Sequence, residues 1–578
     1  TRIGLLDLLS DSAGPRAIRV FEELVDPEKP ELSSAVLRAA ARMGRTAAGA
    51  FMRRVYEEYE DPEIRARAVA GLYGEDTDAY GRVIRSWLES SDERERRAGI
   101  IAAGGSGDET FVRALESLLE STEDEELLAL AVQGLARLAP PALNERILPH
   151  LSHPSAFVRR AALEAVRVSD DEALRRMIPL LGDREEEIQK AALKRLRNAE
   201  HQNPEILIES LGLPDPRLRE NVFELLETLE IKDVEVLRFA RGQLERAYRN
   251  LAEAGALTEL EESPQRDLLI DHLLQKKRDR LDTVLRVLST QDRSGQVRMI
   301  WRGVFSADSR QRSNAVEALD DFVGHALSKI MIPLLENAAE SEMTEVARKE
   351  FKLEGFRGDA AGLCRHLLEK HDWVTVMLTL KVIEAGGCEG VGKEACEPFL
   401  EAENPHVRYV AREITEGESS PKESEMETSI SIPDKILHLR GIQIFEDLSV
   451  GEMAAIASVT EETVFPAGEA VIREGEAGET MYMIISGQVS VCKKRGEEEE
   501  IELDRINPGD YFGEMALFED EVRSATIRTV EASRLLVLHK REFEEIVREY
   551  PQIALHICKI LSHRLRKLHG RLEARETS

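Results

Sequence analysis

Aromatic side chains are only 5% of this 578-residue chain. With abundant Leu, Ala, Glu and Arg beside them, the composition leans towards helix. Cysteine is scarce too: Cys364, Cys388, Cys396, Cys492 and Cys558 are an odd number scattered over a long chain. That usage fits neither a disulfide framework nor a zinc pattern, and it points to a reducing, cytoplasmic setting. No window approaches 18 uninterrupted apolar residues, so no segment is expected to span a bilayer. Basic residues are outnumbered, 78 against 109, for a net charge of −31. Such a surface repels DNA, RNA and anionic membranes, so no direct nucleic-acid partner is expected. The chain opens at Thr1 with neither Met, signal peptide nor basic presequence, which reads as a processed or truncated product.

What is present is a repeat. A hydrophobic fraction of 42% supports a sizeable core, and the length predicts about three to five domains or one long array. Short similar motifs surround Ala68, Ala98, Ala131, Ala161, Ala191 and Asn221, at steps of 30, 33, 30, 30 and 30 residues. Most units open on a helix-start signal, Asp61-Pro62, Ser91-Asp92, His153-Pro154, Asp183 or Asp215-Pro216, where a capping oxygen or a first-turn proline suits the orphan N–H groups. Small residues follow at the helix centre, then a second apolar stretch such as Leu174-Met177-Ile178-Leu180-Leu181 at helical spacing. A two-helix unit of this length cannot bury its stripe alone, but stacked copies share a core. The pattern resembles the HEAT-repeat family in its proline and arginine placement. It fades over residues 239–303, where 237–251 and 268–288 read as longer helices, and returns around Asp308 to Val316 and Asn404 to Ala411. The expected divisions are a HEAT-like array over 1–238, a divergent helical segment over 239–303 and further repeats over 304–415, with about eight to ten units in all. The family is mostly used for protein contact, which implies a protein partner on the array.

Residues 416–433 are polar and acidic and read as a linker. Beyond them, over 434–578, short alternating runs are punctuated by Gly468, Gly475, Gly478, Gly487, Gly496, Gly509 and Gly513. Six short strands are predicted, at 471–472, 481–485, 489–491, 501–503, 526–529 and 535–538, forming a small antiparallel barrel or jelly roll. Helices are expected at 436–459 and 542–571. Lys493-Lys494-Arg495 and Glu497 to Glu500 flank a turn, so their charges are expected to face across a hairpin. The fold class is therefore multidomain, an all-α solenoid followed by a small β domain with flanking helices.

The informative segment runs Asn507-Pro508-Gly509-Asp510-Tyr511-Phe512-Gly513-Glu514-Met515-Ala516-Leu517, then Val522-Arg523-Ser524-Ala525-Thr526. A glycine before a short helical stretch presents free N–H groups to a phosphate, and Arg523 adds a forked, charged contact. These residues resemble the phosphate-binding cassette of the cyclic nucleotide-binding domain, as in bacterial catabolite activators and protein kinase A regulatory subunits. Phe445-Glu446-Asp447-Leu448, Phe465-Pro466-Ala467-Gly468, Glu474-Gly475, Gly478 and Met481 to Val489 extend the likeness. The resemblance implies that Glu514 accepts from a ribose 2′-hydroxyl and that Arg523 pairs with the cyclic phosphate. It also implies main-chain amides near Gly513, Met515 and Ala516 around that phosphate, with Ser524 adding a hydroxyl. Val522 stands where many relatives have proline. Ser524 leaves cyclic AMP and cyclic GMP both open.

Gly387-Cys388-Glu389-Gly390-Val391-Gly392-Lys393-Glu394 nearly spells a P-loop, but Glu394 replaces the magnesium-binding hydroxyl, so a helix-ending glycine turn is expected. The thirteen histidines form no ligand cluster, no metal site is expected, and no nucleophile sits beside a base. His563 to Arg571 is a basic helix end that suits the helix dipole, and too little chain follows for a DNA-reading motif. Residues 434–578 hold 19 basic and 28 acidic side chains, a net of −9, which leaves −22 on the first 433. The expected function is a non-enzymatic cyclic-nucleotide sensor whose array docks a protein partner. The alternatives are the cytosolic tail of an ATP/ADP translocase-like carrier, with its membrane region upstream of Thr1, and a scaffold with a vestigial ligand domain.

Overall fold

The computed structural model describes residues 15–560 apart from short stretches, the longest being 139–143, 354–358 and 417–429, together with residues 562 and 566. The expected acidic linker and the basic end from His563 thus lie almost wholly outside the described residues. Among the described residues no helix is long and apolar enough to cross a membrane. The chain forms two compact units, one of residues up to Leu213 with Leu218–Leu229, the other of Pro214–Arg217 and everything from Glu230.

The first unit is helical. Helices Pro62–Leu72, Glu93–Ser106, Glu125–Leu138, Ala156–Ala165 and Glu186–Arg197 begin 30 to 32 residues apart, and each packs against the next. Their starts follow from local chemistry. Asp61 accepts the Ile64 N–H at 2.8 Å with Pro62 in the first turn, and Asp124 accepts from Glu126 and Leu127. Small residues are needed where helices cross. A Cβ on Gly104 would stand 2.7 Å from the Gly134 Cα, and one on Gly105 would stand 2.7 Å from the Ala70 Cβ.

The recurring arginine also has a structural task. Arg159 forks onto Asp183 at 2.6 and 2.8 Å and donates to the His153 and Pro154 carbonyls. Arg408, in the second unit, donates to the Ala402 carbonyl at 2.6 Å in the same way. These side chains satisfy carbonyls left over where one helix turns into the next. The apolar stretch read as one helix through Leu181 is interrupted. Helix Asp171–Met177 gives way to the 3₁₀ turn Ile178–Gly182, because Pro179 cannot donate to the preceding turn.

In the second unit, α1 (Asp233–Leu257) and α2 (Pro264–Gln291) are long antiparallel partners. Helix α3 (Trp373–Glu384) is buried on nearly every side, and Val374 to Ile383 join a large apolar core. Gly386 follows with φ +81°, the left-handed residue that ends such a helix. Cys364 and Cys388 are disulfide-bonded with Cα atoms 6.7 Å apart, which corrects the expectation of unpaired thiols. No cysteine spacing signals it, because helix packing brings the two together. Helices α4 (Ile432–Arg440) and α5 (Val450–Val459) replace the single helical stretch expected there, with Gly441 and the 3₁₀ turn Gln443–Phe445 between them. Ser449 and Glu452 form a reciprocal capping box on α5. Helix α4 packs on α3 and α5 on α2, and Arg440 meets Asp271 at 2.7 Å.

Eight strands follow: β1 (Glu461–Phe465), β2 (Ala470–Ile472), β3 (Thr480–Ser486), β4 (Val489–Arg495), β5 (Glu499–Ile506), β6 (Tyr511–Phe512), β7 (Thr526–Thr529) and β8 (Ser533–His539). They form two antiparallel four-stranded sheets of order β1-β8-β3-β6 and β2-β7-β4-β5. Six were anticipated; β1 and β6 were not. Lys494 pairs with Glu500 across the β4–β5 hairpin, as expected. Helix α6 (Lys540–Glu549) ends before Pro551, and residues 551–560 resume as a separate helix, which splits the long terminal helix read from the sequence. One continuous core joins α3, α4 and α5 to Met481, Met483, Leu536, Leu538, Phe543 and Ile553.

Candidate functional site

The site is organised around a buried charge. Arg523 is 7% exposed. Its guanidinium donates to the Thr480 carbonyl and Oγ1, both at 2.8 Å, and to the Gly513 carbonyl at 3.3 Å. No carboxylate pairs with it among the described residues, and burial pulls it below its ordinary pKa. The backbone around it is clasped from both sides. The Gly475 N–H donates to the Arg523 carbonyl at 2.9 Å, the Arg523 N–H donates to the Glu476 carbonyl at 2.8 Å, and Ala477 bridges Val522.

Two glycines make room for the guanidinium. A Cβ on Gly478 would fall 2.2 Å from Arg523 Nε. Gly513 has φ +78°, and a Cβ there would lie 2.8 Å from an Arg523 terminal nitrogen and 2.9 Å from the Thr480 carbonyl. Only glycine meets both demands at Gly513.

After Gly513 the chain makes the 3₁₀ turn Glu514–Leu517. Gly513, Glu514, Met515, Ala516, Arg523 and Ser524 all line one cavity of about 300 Å³, so the structure brings together every site residue read from the sequence. They are not equivalent. Glu514 is half-buried, Met515 and Ser524 are exposed, and Ala516 is buried. The Ala516 N–H is already donated to the Gly513 carbonyl at 3.2 Å, which corrects its expected availability as a phosphate donor. A tight turn consumes amides that an α-helical first turn leaves free. Val522 is 62% exposed and lines the same cavity.

Apolar residues from four strands, Ile472, Val491, Ile506 and Ile527, complete the cavity, with Glu519 and Glu521 at its edge. Phe512 stacks on Tyr482 with ring centroids 5.1 Å apart and holds the cassette against the sheet. Sequence reasoning missed Thr480, the acceptor of the Arg523 fork, since 43 residues separate them. The apolar alternation of β4 and β7 was the signal for Val491 and Ile527. The cavity thus combines one buried cation, the carboxylates of Glu514, Glu519 and Glu521, and an apolar wall. That set suits an anion joined to a hydroxyl-bearing group and a flat apolar one.

Residues 462–550 match the family of the cyclic nucleotide-binding domain. The C-terminal part of the chain is a domain of this class, the type found in catabolite activators and protein kinase A. The chain is similar to the cyclic AMP receptor protein of Thermus thermophilus, 29% identical over 129 residues, 22% of this chain and 60% of that one. It is also similar to the cGMP-dependent protein kinase egl-4 of Caenorhabditis briggsae, 35% identical over 111 residues, 19% of this chain and 15% of the kinase. Among solved structures, the catabolite activator protein of Thermus thermophilus is 28% identical and covers 23% of this chain and 63% of its own, with a TM-score of 0.22. The chain thus spans less than two thirds of these relatives, and the likeness is confined to its C-terminal part.

Proposed function

We propose that this chain is a cyclic-nucleotide sensor that binds cyclic AMP or cyclic GMP at Arg523 and Glu514 and relays occupancy to a protein-docking helical array. The observation that carries the reading is Arg523, buried without an acidic partner at the wall of a cavity that also contains Glu514. Its hydrogen bonds all go to neutral oxygens, so an arriving anion gains a charged contact there. The names of the relatives speak for both nucleotides, a cyclic AMP receptor protein and a cGMP-dependent kinase. Helices recurring every 30 to 32 residues, with arginines tied to the preceding turn, support HEAT-type units as the docking array.

A relay needs contact between the ligand domain and the helices before it, and a cluster within the second unit supports one. Lys381 on α3 is 5% exposed and meets Glu384 at 2.9 Å, Glu413 at 2.8 Å and Asp434 of α4 at 3.8 Å. A ligand that favours one position of α4 therefore acts on the packing of α3. The test is calorimetric titration of cyclic AMP and cyclic GMP into the full chain and its Arg523→Ala variant. Saturable binding that the variant loses supports the proposal, and equal binding by both chains refutes it.

A further inference from the structure

A second collection of positive charge, part-buried at Arg67 and exposed at Arg38 and Arg137, lies in the first unit, in the part of the chain that carries most of the negative charge. Helices Pro30–Arg42, Pro62–Leu72 and Glu125–Leu138 contribute Arg38, Arg67 and Arg137 to the wall of one cavity of about 140 Å³, with Ser34 and Gln133 beside them. Gly71, Gly105 and Gly134 also line it, where the helices approach one another closely. By the measure on which one water needs about 10–15 Å³, there is room for an anion much larger than water.

The three guanidiniums are poorly balanced. Arg67 donates to Ser34 Oγ at 2.7 Å and to the Glu63 carbonyl at 3.3 Å, and its nearest carboxylate, Glu63, stands off at 3.8 Å. Glu63 is shared, since Arg97 also holds it at 3.3 Å. Neither Arg38 nor Arg137 has an acidic partner among the described residues. Burial, opposed by Glu63 and reinforced by Arg38 and Arg137, pulls Arg67 below its ordinary value, and burial with the Arg38 charge does the same to Arg137. Like charges gathered around an open space favour an anion there. Guanidinium forks match the oxygens of a phosphate better than a single carboxylate does, and a dianion offsets the two arginines that lack partners.

We infer that this cavity is a second anion site, independent of the cyclic-nucleotide site, which takes a phosphomonoester through Arg38, Arg67 and Arg137. The shared chemistry covers a phosphorylated side chain of a docked protein and a free phosphate metabolite.

The experiment uses the full chain carrying Arg523→Ala, so that the C-terminal site contributes nothing. Inorganic phosphate, O-phosphoserine and a phosphoserine peptide are titrated by calorimetry, with serine and the unphosphorylated peptide as controls. Saturable binding of the phosphorylated probes alone is expected, weakened at least about tenfold by R38Q and again by R137Q, one charged contact being lost each time. Tighter binding of the phosphopeptide than of O-phosphoserine assigns the site to a protein partner, and equal binding assigns it to a small phosphate. Both variants replace exposed side chains, so each is expected to fold, with unchanged helical circular dichroism. Absence of binding, or binding that R38Q and R137Q together leave intact, overturns the inference. Cyclic-nucleotide binding by R38Q/R137Q in the otherwise native chain is expected to be unchanged, which separates this test from that of the C-terminal site.

Discussion

Arg523→Ala separates the structural role of one side chain from the binding role proposed for it. In the free protein the guanidinium is held by the Thr480 carbonyl and hydroxyl and by the Gly513 carbonyl, at 2.8, 2.8 and 3.3 Å. Those bonds offset the desolvation of an unpaired charge. Removing both together is expected to change the stability of the free chain by no more than about 1 kcal/mol. Binding is different, because in the proposed complex the phosphate gains a forked contact only from this residue. Two charged hydrogen bonds are worth roughly 3 kcal/mol or more, about a hundredfold in Kd. With nucleotide at 100 times the native Kd, ligand stabilises the native chain by about 2.7 kcal/mol and the variant by only about 0.4 kcal/mol. Thermal unfolding with and without cyclic AMP and cyclic GMP reads both quantities at once. A variant that keeps its ligand-induced shift would refute the role given to Arg523. A variant that is unfolded without ligand would refute the balance argued for its hydrogen bonds.

Gly478→Ala is expected to displace the guanidinium, because the new Cβ falls 2.2 Å from Nε. Nucleotide affinity should drop by about tenfold, a 1.4 kcal/mol effect, while the unfolding midpoint without ligand hardly moves. Lys381→Met should lower stability by about 1 kcal/mol by taking the shared cation from three partly exposed carboxylates, measured by urea unfolding. If the relay runs through α3, the same change alters how nucleotide affects protection of 373–384 in hydrogen exchange. Burial alone would raise Asp372, but the His272 hydrogen bond and charge, Lys276 and the Thr375 hydroxyl outweigh it and hold the carboxyl well below its usual range. A depressed carboxylate stabilises the fold above its unfolded pKa of about 3.9 and loses that contribution as pH falls further. Asp372→Asn should therefore flatten the acid limb of stability below about pH 4, and an unchanged limb contradicts the assignment.

The parts of the molecule that were legible in the sequence are those whose signal is local. The Asp-Pro helix starts and the Gly513 to Ser524 cassette each lie within a dozen residues, and the small residues recur at a nearly fixed step, so chain connectivity alone places them. The parts that were not legible depend on distant chain segments. Thr480 becomes the acceptor of Arg523 only through the pairing of the sheets. Cys364 and Cys388 meet only because helix Ala360–Leu368 packs back on α3. Strand β6 is two residues long and β1 reads Glu-Glu-Thr-Val-Phe, so neither carries enough alternation to be seen. The commitment of the Ala516 amide depends on the turn being 3₁₀ rather than α, a difference of one residue in hydrogen bonding. The Arg38, Arg67 and Arg137 cluster was equally hidden, because each arginine comes from a different helix and the summed charge of the chain conceals a local excess.

The central claim is that a buried, unpaired Arg523 waits for a cyclic phosphate, and calorimetry on the full chain addresses it most directly. Cyclic AMP or cyclic GMP is expected to bind saturably at one site per chain, with the heat abolished by Arg523→Ala and retained by R38Q/R137Q. No heat from either nucleotide, or equal heat from the native chain and Arg523→Ala, contradicts the account.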